Sequence, residues 1–432
     1  MKMLKNKIVS LGTVCALVAS MAAVGTGCSG GAAASSAPAQ GGAESAASGT
    51  AVSEEAKLPT GKTLRVWTYM QTEAPTLKEY AQKWAEKTGN KVELIYQTAS
   101  MQQFAQAAHS ASGPDVVYGI ANDNVATFAT ANLVEEVPDG TINAEEYTPA
   151  SVSACKVDGK PYAIPIAIES IALFYNTDKV KTVPATFEEL VPQAKQAGGF
   201  MFDATNFYYA YGFVRAEGGY VFKNDNDKYD VNDIGLGNDG SKKAYGFLND
   251  LVNKEHLMNA DITGDVAKSN FQNGKLAYYI SGPWDVGGFK SAGTHFKVAP
   301  LPTLNGSQIK TAVGTQVAFV NAKTQNESLA WDFIKYMGDE SAIALYKVGS
   351  RIPAKLSIQS SSEIQSDENT AAFIKQASYG EPMPTIAEMS QVWTPAQNNI
   401  KLIFTGKETV DQAAESIVTQ LKKGITTMNA GK

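Results

Sequence analysis

Cysteine and histidine are scarce in this 432-residue chain, which has three of each. Cys15 and Cys28 lie close to the start, so Cys155 is alone in the rest of the sequence and no disulfide can form there. A catalytic cysteine needs a nearby base, and a metal site needs clustered ligands, which three dispersed histidines do not supply. We therefore predict that Cys155 is a buried structural thiol and that the protein carries no metal ion and no cofactor.

The chain also lacks an excess of positive charge. It has 37 lysine and arginine residues against 43 aspartate and glutamate residues, a net charge of -6. Nucleic-acid binders carry clustered basic faces, so nucleic acid is not expected as a partner. The hydrophobic share of 44% and the charged share of 19% are typical of globular proteins, so a chain of this length can bury a core in two or three domains.

Long apolar runs are absent after residue 24, so we predict no membrane helix in the body of the protein. Before that point, three lysines precede the apolar stretch 8–24, a pattern typical of an export signal. The sequence VGTGC at 24–28 resembles the lipobox of bacterial lipoproteins, with Gly25 where that pattern prefers leucine. The resemblance predicts a signal peptide at 1–27 and lipidation of Cys28; the alternative is a secretory signal with an ordinary cleavage site.

Residues 28–57 are almost entirely serine, glycine and alanine with a few glutamates. Such a segment cannot bury a core, so we predict a flexible linker with a root-mean-square span of about 30 Å. Together with Cys28, it would hold the protein at the outer face of the cytoplasmic membrane. A tether of this reach suggests a Gram-positive type of envelope.

From residue 58 the sequence alternates between strand and helix patterns. Strands are predicted at 63–69, 91–96 and 114–118, with apolar residues at helical spacing between them. That order favours a parallel sheet with helices on its faces. Trp84 and Trp331 lie on the apolar stripes of predicted helices and are expected in the core.

Helices and strands are predicted further along the chain as well. They are strands at 161–166, 173–175 and 276–280 and helices at 186–197, 242–253, 327–346 and 409–423.

Three short segments match enzyme motifs, but the residues around each of them do not fit the structure that the motif requires. Residues 235–240 fit the dinucleotide pattern G-x-G-x-x-G, but the acidic run before them cannot be a buried strand, so a turn and a helix cap are predicted. The G-x-S-x-G match at 27–31 lies at the lipidation site, without the strand and helix that the motif requires. Gly61 and Lys62 look like the end of a phosphate-binding loop, but the required first glycine is Ala56. We therefore predict that the protein is not an enzyme.

Exposed aromatic side chains are the features that suggest a function. Sugar sites combine flat aromatic faces with a few polar groups that take the hydroxyls. Trp284 follows a Gly-Pro pair, Trp393 follows a proline-containing segment, and Tyr208 and Tyr209 lie in an aromatic stretch. Core packing is the alternative for each of them, but their positions after chain breaks favour a site.

Several segments resemble the maltose/maltodextrin-binding proteins of bacterial ABC importers, in order along most of the chain. These are YAIPIAIE at 162–169, FYN at 174–176, GGYVFKNDNDKYDVNDIG at 218–235, NAD at 259–261, SGPW at 281–284 and GEPMPTIAEMSQVW at 380–393.

The resemblance implies an α/β, two-lobe periplasmic-binding-protein fold of type II. Each lobe is a sheet flanked by helices, and a hinge joins the lobes with the ligand cleft between them. The implied lobes are 58–166 plus 302–337 and 167–301 plus 338–432.

It also implies eight ligand-binding positions. They are the aromatic residues Tyr208, Tyr209, Trp284 and Trp393 and the polar residues Asp123, Glu169, Asn206 and Gln397.

The chain departs from the family pattern at the residues that hold one end of the sugar. Asn206 and Gln397 stand where the family has glutamate and arginine, and Gln71 and Thr72 replace an Asp-Lys pair. A first-lobe tryptophan is also missing, since 118–120 read Tyr-Gly-Ile. The length and linkage of the sugar are therefore left open.

The function implied is that of a monomeric, lipid-anchored subunit that captures maltose or malto-oligosaccharides and delivers them to the permease of an ABC importer. The alternatives are another oligosaccharide in the same transporter class and a sugar-sensing co-receptor. A retaining glycoside hydrolase needs two carboxyl groups about 5 to 5.5 Å apart, and Glu169 has no obvious partner in the sequence.

Overall fold

Two β-sheets and the helices packed on them organise the chain in the computed structural model, which describes residues 58–98, 101–110, 113–225 and 228–430. The predictions for the signal peptide, Cys28 and the linker lie outside these residues.

The strands are numbered in chain order. They are β1 Thr63–Thr68, β2 Lys91–Tyr96, β3 Val116–Ala121, β4 Lys156–Val157, β5 Lys160–Pro161, β6 Ile164–Glu169, β7 Ala172–Asn176, β8 Phe200–Met201, β9 Phe222–Asp225, β10 Lys228–Ile234, β11 Tyr278–Ser281, β12 Phe296–Ala299, β13 Ala312–Val320, β14 Ile352–Pro353 and β15 Glu381–Pro382.

The α-helices are numbered in the same way. They are α1 Ala74–Thr88, α2 Met101–Ala107, α3 Val125–Thr130, α4 Pro149–Ser153, α5 Phe187–Ala197, α6 Phe207–Ala216, α7 Asp239–Asn253, α8 Gly264–Gln272, α9 Val286–Ser291, α10 Glu327–Glu340, α11 Ala342–Gly349, α12 Leu356–Gln359, α13 Ser362–Gln365, α14 Glu368–Ala377, α15 Trp393–Phe404 and α16 Val410–Ala430.

The large sheet has the strand order β14-β6-β13-β3-β1-β2, with β15 beside β13. β1 pairs in parallel with β2 and β3, which confirms the prediction for these three strands. The rest of the sheet is mixed, because β13 runs antiparallel to both β3 and β6 and β14 runs antiparallel to β6. It follows that β1, β3 and β6 all point in one direction.

Both faces of the large sheet are buried under separate apolar clusters. Val116 and Tyr118 of β3 pack into the cluster that contains Trp84, whereas Val117 packs into the cluster that contains Phe128 on the other face. This two-residue alternation places each face of the strand in its own core, as the pleat of a β-strand requires.

Trp84 is completely buried, so the prediction that it is a core residue is confirmed. Its indole Nε1 donates to Asp332 Oδ2 at 2.7 Å, and its ring meets Phe333 edge-on at 5.3 Å. Trp331 is also a core residue, with 6% of its surface exposed. Cys155 is a buried free thiol, as predicted, and its burial raises the pKa of the thiol.

The small sheet has the order β12-β7-β11-β8 and lies in the largest apolar cluster, together with α5, α6, α7, α15 and α16. Phe174 of β7 lies at the centre of this cluster. Its ring centroid is 5.6 to 6.1 Å from the ring centroids of Phe271, Phe289 and Phe373. This aromatic packing supports the strands that carry part of the site described below.

The chain passes from one sheet to the other more than once. β6 of the large sheet ends at Glu169 and β7 of the small sheet begins at Ala172, so only two buried residues join them. The return passage leads from β12 to β13. The hydroxyl groups of Ser170 and Thr311, one on each passage, are hydrogen-bonded at 2.8 Å.

A third passage follows β14. β14 pairs with β6 and α11 contacts α1, although the predicted lobe boundaries give both elements to the second lobe. Further on, Asn369 of α14 accepts a hydrogen bond from the backbone of Val298 in β12. In the structure the third passage thus lies after residue 353. The lobe boundaries, which put the change of lobe at 337/338, stay a prediction.

The predicted helix at 327–346 is two helices, because Ser341 interrupts it. The Ser341 hydroxyl and the Ser341 backbone N–H both donate to the carbonyl of Met337, at 2.6 and 3.1 Å, and such side-chain bonding to the preceding turn bends helices. The prediction for 235–240 is confirmed: Gly235–Gly237 form a 3-10 turn, and Asn238 caps α7 by accepting from Ser241 N. Within the described residues, none of the helices has the length and hydropathy to span a bilayer.

Candidate functional site

One edge of the large sheet collects polar side chains from several segments. Glu73 and Asp123 follow the carboxyl ends of β1 and β3, and Glu169 ends β6. Because these strands run in the same direction, their carboxyl ends meet at one edge, where open α/β sheets form their binding crevices. Arg351 immediately precedes β14, which runs the opposite way beside β6, so it reaches the same place. We call Glu73, Asp123, Glu169 and Arg351 the polar edge.

Asp123 lies in the 3-10 turn Asn122–Asn124, and two hydrogen bonds order this turn. Asn122 Oδ1 accepts from the backbone of Thr315 at 3.1 Å, and Asn124 Nδ2 donates to Asp123 Oδ1 at 2.9 Å. Burial raises the pKa of Asp123, while backbone hydrogen bonds in the turn partly offset this. The fold thus holds the Asp123 carboxyl group in place, and its ionised form loses part of its solvation energy there.

Glu169 is bound by two neighbours that the sequence analysis did not identify. Gln316 Nε2 donates to Glu169 Oε2 at 3.2 Å, and Arg351 Nη1 donates to Glu169 Oε1. Arg351 Nε also donates to Glu73, of which only 1% is exposed. Glu169, a predicted ligand-binding residue, is therefore part of an ion-pair network rather than an isolated acceptor.

Arg351 gave no signal in the sequence. Its contact with Glu169 follows from the pairing of Ile352 with Ile168, in a strand of two residues. A strand that short has no detectable period, so its partner could not be deduced from sequence.

The aromatic side of the site begins at the start of α6. Asn206 caps this helix, since its Oδ1 accepts from the backbone of Tyr208 at 3.1 Å. This is an ordinary helix-capping role, and it occupies the side-chain oxygen of a residue that the resemblance implies is ligand-binding.

Tyr208, Tyr209 and Trp284 are in direct contact. The rings of Tyr208 and Tyr209 meet edge-on at 5.8 Å, and those of Tyr208 and Trp284 lie 6.5 Å apart. Burial raises the pKa of Tyr209 to about 12. The structure thus brings together three of the four predicted aromatic residues.

The Tyr208 hydroxyl faces the polar edge. A methyl group on Gly314 would lie 3.7 Å from this hydroxyl and 3.9 Å from Glu169 Oε2, so both groups border the same small space. Burial raises the pKa of Tyr208 well above its usual value, and the negative charge of Glu169 adds to this. Aromatic and carboxylate groups therefore approach one another across β13.

Trp284 is held in place by its own turn. The turn Pro283–Asp285 follows β11, and the buried carboxylate of Asp285 accepts hydrogen bonds from Tyr279 and Ser281 at 2.8 and 2.6 Å. A methyl group on Gly282 would lie 2.2 Å from the Trp284 ring, so the indole rests directly on a backbone that has no side chain. With 36% of its surface exposed, Trp284 offers an aromatic face to solvent.

Trp393 and Gln397 lie on α15. Trp393 is half-buried and contacts Phe207 of α6 at 6.3 Å, which connects it indirectly to the tyrosines. Gln397 is exposed one turn further along the same helix. The 3-10 turn Ala387–Gln391, just before Trp393, lies beside the turn that carries Asp123.

The site has the composition of a binding site for a neutral polar ligand. Aromatic faces lie on one side and hydrogen-bonding groups of fixed orientation on the other, an arrangement that suits sugars. Among the described residues, no group of three or more histidine, cysteine, aspartate or glutamate side chains is arranged to hold a metal ion.

Comparison with known proteins gives consistent matches. The profile of the family described as bacterial extracellular solute-binding protein matches residues 79–372. The galactooligosaccharide-binding protein of Bacillus subtilis is 33% identical over 329 residues, which are 72% of this chain and 78% of that relative. The maltooligosaccharide ABC transporter solute-binding lipoprotein of Streptococcus pneumoniae is 33% identical over 368 residues, 81% of this chain and 86% of that one.

A solved structure matches as well. The maltose-maltodextrin binding protein of Alicyclobacillus acidocaldarius superposes with a TM-score of 0.79 at 36% identity, over 83% of this chain and all of that chain. The α/β fold with two lobes, expected from the resemblance, is confirmed by this match.

The raised pKa of Asp123 gives a test of the site's electrostatics. Because the pKa of Asp123 is higher in the folded state than in the unfolded state, folding favours the protonated carboxyl group. The free energy of unfolding therefore falls as the pH rises from the unfolded-state pKa through the folded-state pKa. We expect Asp123→Asn to increase the free energy of unfolding of the unliganded protein at pH 7, and the gain to shrink as the pH falls toward about 4.

Urea denaturation at several pH values measures this difference. Asp139→Asn, at an exposed position, is the matched control and should show no such dependence. An Asp123→Asn variant that is less stable than the wild type at pH 7 would contradict the prediction.

Proposed function

We propose a function for this chain from one premise: the chain belongs to the family of bacterial extracellular solute-binding proteins. It is the substrate-binding subunit of an ABC importer. It binds oligosaccharides, with maltose and α-1,4-linked malto-oligosaccharides as its preferred ligands, and it delivers them to the permease subunits in the membrane.

The observation that carries this proposal is the position of Trp284. Its exposed indole rests on Gly282 and stands beside Tyr208, whose hydroxyl points toward Glu169. A sugar ring stacked on Trp284 would thus have hydroxyl-binding groups within reach. If a stacked ring hides about 50 Å² of apolar surface, each stack contributes on the order of 1 kcal/mol.

Two kinds of sugar compete for the role of preferred ligand. The relatives named for galacto- and malto-oligosaccharides share the same 33% identity with this chain. The match to the malto-oligosaccharide protein extends over more of the chain, and the solved maltose-maltodextrin binding protein is similar at 36% identity. These observations favour malto-oligosaccharides, and galacto-oligosaccharides are the alternative within the class.

Binding would couple to closure of the cleft. Asp123 and Glu169 belong to the large sheet, whereas Tyr208 and Trp284 belong to elements packed around the small sheet. A sugar that touches both sets binds the closed arrangement more tightly, so it shifts the protein toward that arrangement by the difference in affinity. The permease would recognise the closed form.

The polar edge argues against hydrolysis. Glu73 and Glu169 both bind Arg351, so a guanidinium group stands between these two carboxylates. A retaining glycosidase instead places its two carboxyl groups on either side of the scissile bond. Transport rather than catalysis is therefore the function we assign.

The location follows from the start of the chain and from the relative that is named a lipoprotein. Cys28 would be the lipidated N-terminus after removal of 1–27, with 28–57 as the tether. The protein would then act as a monomer at the outer face of a Gram-positive type of cell membrane.

Isothermal titration with purified protein tests the ligand. We expect maltotriose to bind with a micromolar Kd, about 8 kcal/mol, and a β-1,4-linked galactotriose to bind more weakly. Tighter binding of the galactotriose would move the assignment to the alternative sugar, and no binding to either would refute the proposal. Shorter products after incubation with maltoheptaose would identify an enzyme instead.

The aromatic contacts can be tested by substitution. Because Trp284 is partly exposed, Trp284→Ala should weaken sugar binding at least tenfold, about 1.4 kcal/mol, with little change in the unliganded melting temperature. Trp393 also packs against Phe207, so Trp393→Ala should lower both affinity and stability.

Trp84→Ala is the control, because it removes a completely buried ring and should cost about 3 to 5 kcal/mol of stability without affecting the affinity of the folded protein. Normal binding by a destabilised Trp284→Ala variant would show that Trp284 serves packing and that the site lies elsewhere.

Membrane attachment depends on one side chain. Cys28→Ser should release the protein from the membrane fraction into the medium, measured by fractionation and immunoblotting. Cys155→Ser, which alters a buried thiol, is the matched control and should leave the distribution unchanged. Continued membrane association of the Cys28→Ser protein would refute lipidation at this site.

A further inference from the structure

Arg351 lies at the binding edge of the large sheet because of strand direction alone. β14 pairs antiparallel to β6 with Ile352 opposite Ile168, so the residue before β14 lies opposite the residue that ends β6. Arg351 and Glu169 are these two residues. The position therefore belongs to the crevice side of the sheet and not to its far end.

The guanidinium group is held in a fixed orientation. Its Nε donates to Glu73 and its Nη1 to Glu169, and 19% of the side chain is exposed. Burial alone would lower the pKa of Arg351, but the charges of Glu169 and Glu73 raise it, so the group is positively charged. Among the described residues, Nη2 of Arg351 has no hydrogen-bond partner, which leaves N–H donors available on the exposed side.

Other polar atoms at this edge are buried without partners in the described part of the chain. They are Glu73 Oε2, Asn122 Nδ2 and Thr315 Oγ1, in residues that are 1 to 4% exposed. Buried polar atoms in proteins are nearly always hydrogen-bonded, so these three atoms mark a place where the chain does not complete its own hydrogen bonds.

The residues that follow β1 supply no cation to this corner, because Gln71 and Thr72, just before Glu73, are both uncharged. Arg351 reaches this same corner from a different part of the chain, through its ion pair with Glu73.

A guanidinium beside a carboxylate complements two adjacent hydroxyl groups. Each sugar hydroxyl can both donate and accept, so one can accept from Arg351 while its neighbour donates to Glu169. A planar group already held by two carboxylates loses little freedom on binding. The two carboxylates outnumber the single guanidinium, so the edge favours a neutral sugar over an anionic one.

We propose that Arg351 is a specificity-determining residue that contacts the bound sugar directly and, together with Glu169, binds two neighbouring hydroxyl groups of one neutral sugar ring. This inference rests on the oligosaccharide-binding function proposed above. Glu73 is a positioning residue in this arrangement, since it orients the guanidinium without being required to touch the sugar.

Arg351→Lys tests the proposal because it keeps the charge and removes the planar fork. Arg215→Lys is the matched control: Arg215 is also half-buried, with 24% of its side chain exposed, and it is paired with Glu381 rather than with a residue of the polar edge. We expect Arg351→Lys to weaken maltotriose binding at least tenfold by isothermal titration. Arg215→Lys should change the affinity less than twofold, although both variants lower the melting temperature.

A crystal structure of the wild-type protein with maltotriose separates direct contact from an effect through Glu169, and it decides the matter even if Arg351→Lys does not fold. The expected result is an Nη atom of Arg351 within about 3.2 Å of a sugar oxygen. A guanidinium without a sugar oxygen at hydrogen-bond distance, or an Arg351→Lys variant that binds as tightly as the wild type, would overturn the proposal. Failure of the wild type to bind any oligosaccharide would instead refute the proposed function itself.

Discussion

The pairing of β13 with both β3 and β6 is the constraint on which the site depends. This strand runs against its two neighbours, and so β1, β3 and β6 end at the same edge. Its first residues, Gly314 to Gln316, lie within this edge and contact Glu169, Asn122 and the Tyr208 hydroxyl. A register shift of one residue in β13 would turn these contacts away and would move each apolar side chain of the strand to the core on the opposite face of the sheet. The site and the core are thus specified by the same hydrogen bonds.

Local patterns in the sequence predicted the helices and strands, but they did not predict which distant residues come into contact. The alternation at 63–69 and the apolar stripe through Trp84 gave β1 and α1, since each is a periodic signal several residues long. The exposed state of Trp284 could be anticipated from Gly282 and Pro283. By contrast, the pairing of Glu169 with Arg351 joins residues 182 apart through a strand of two residues, and no short-range signal encodes it.

The resemblance implied ligand-binding positions but not the hydrogen-bond partners of those residues. Asn206 and Glu169 are both among the predicted positions, yet the first caps a helix and the second belongs to an ion-pair network. A family pattern transmits position because the backbone is shared, whereas hydrogen-bond partners change with each neighbouring substitution. A buried charge such as Glu73 and a half-buried one such as Asp123 cost solvation energy, and proteins tolerate that cost mainly where it serves a function.

The hydrogen bond between Ser170 and Thr311 has a mechanical consequence. It joins two adjacent passages between the sheets at a point where both side chains are buried. Two connecting segments that are hydrogen-bonded to each other resist sliding and stretching, but they can still bend about a line drawn through both. We therefore expect the two sheets to rotate about the line through Ser170 and Thr311 more readily than they slide past each other, so that a bound ligand mainly has to stop this rotation.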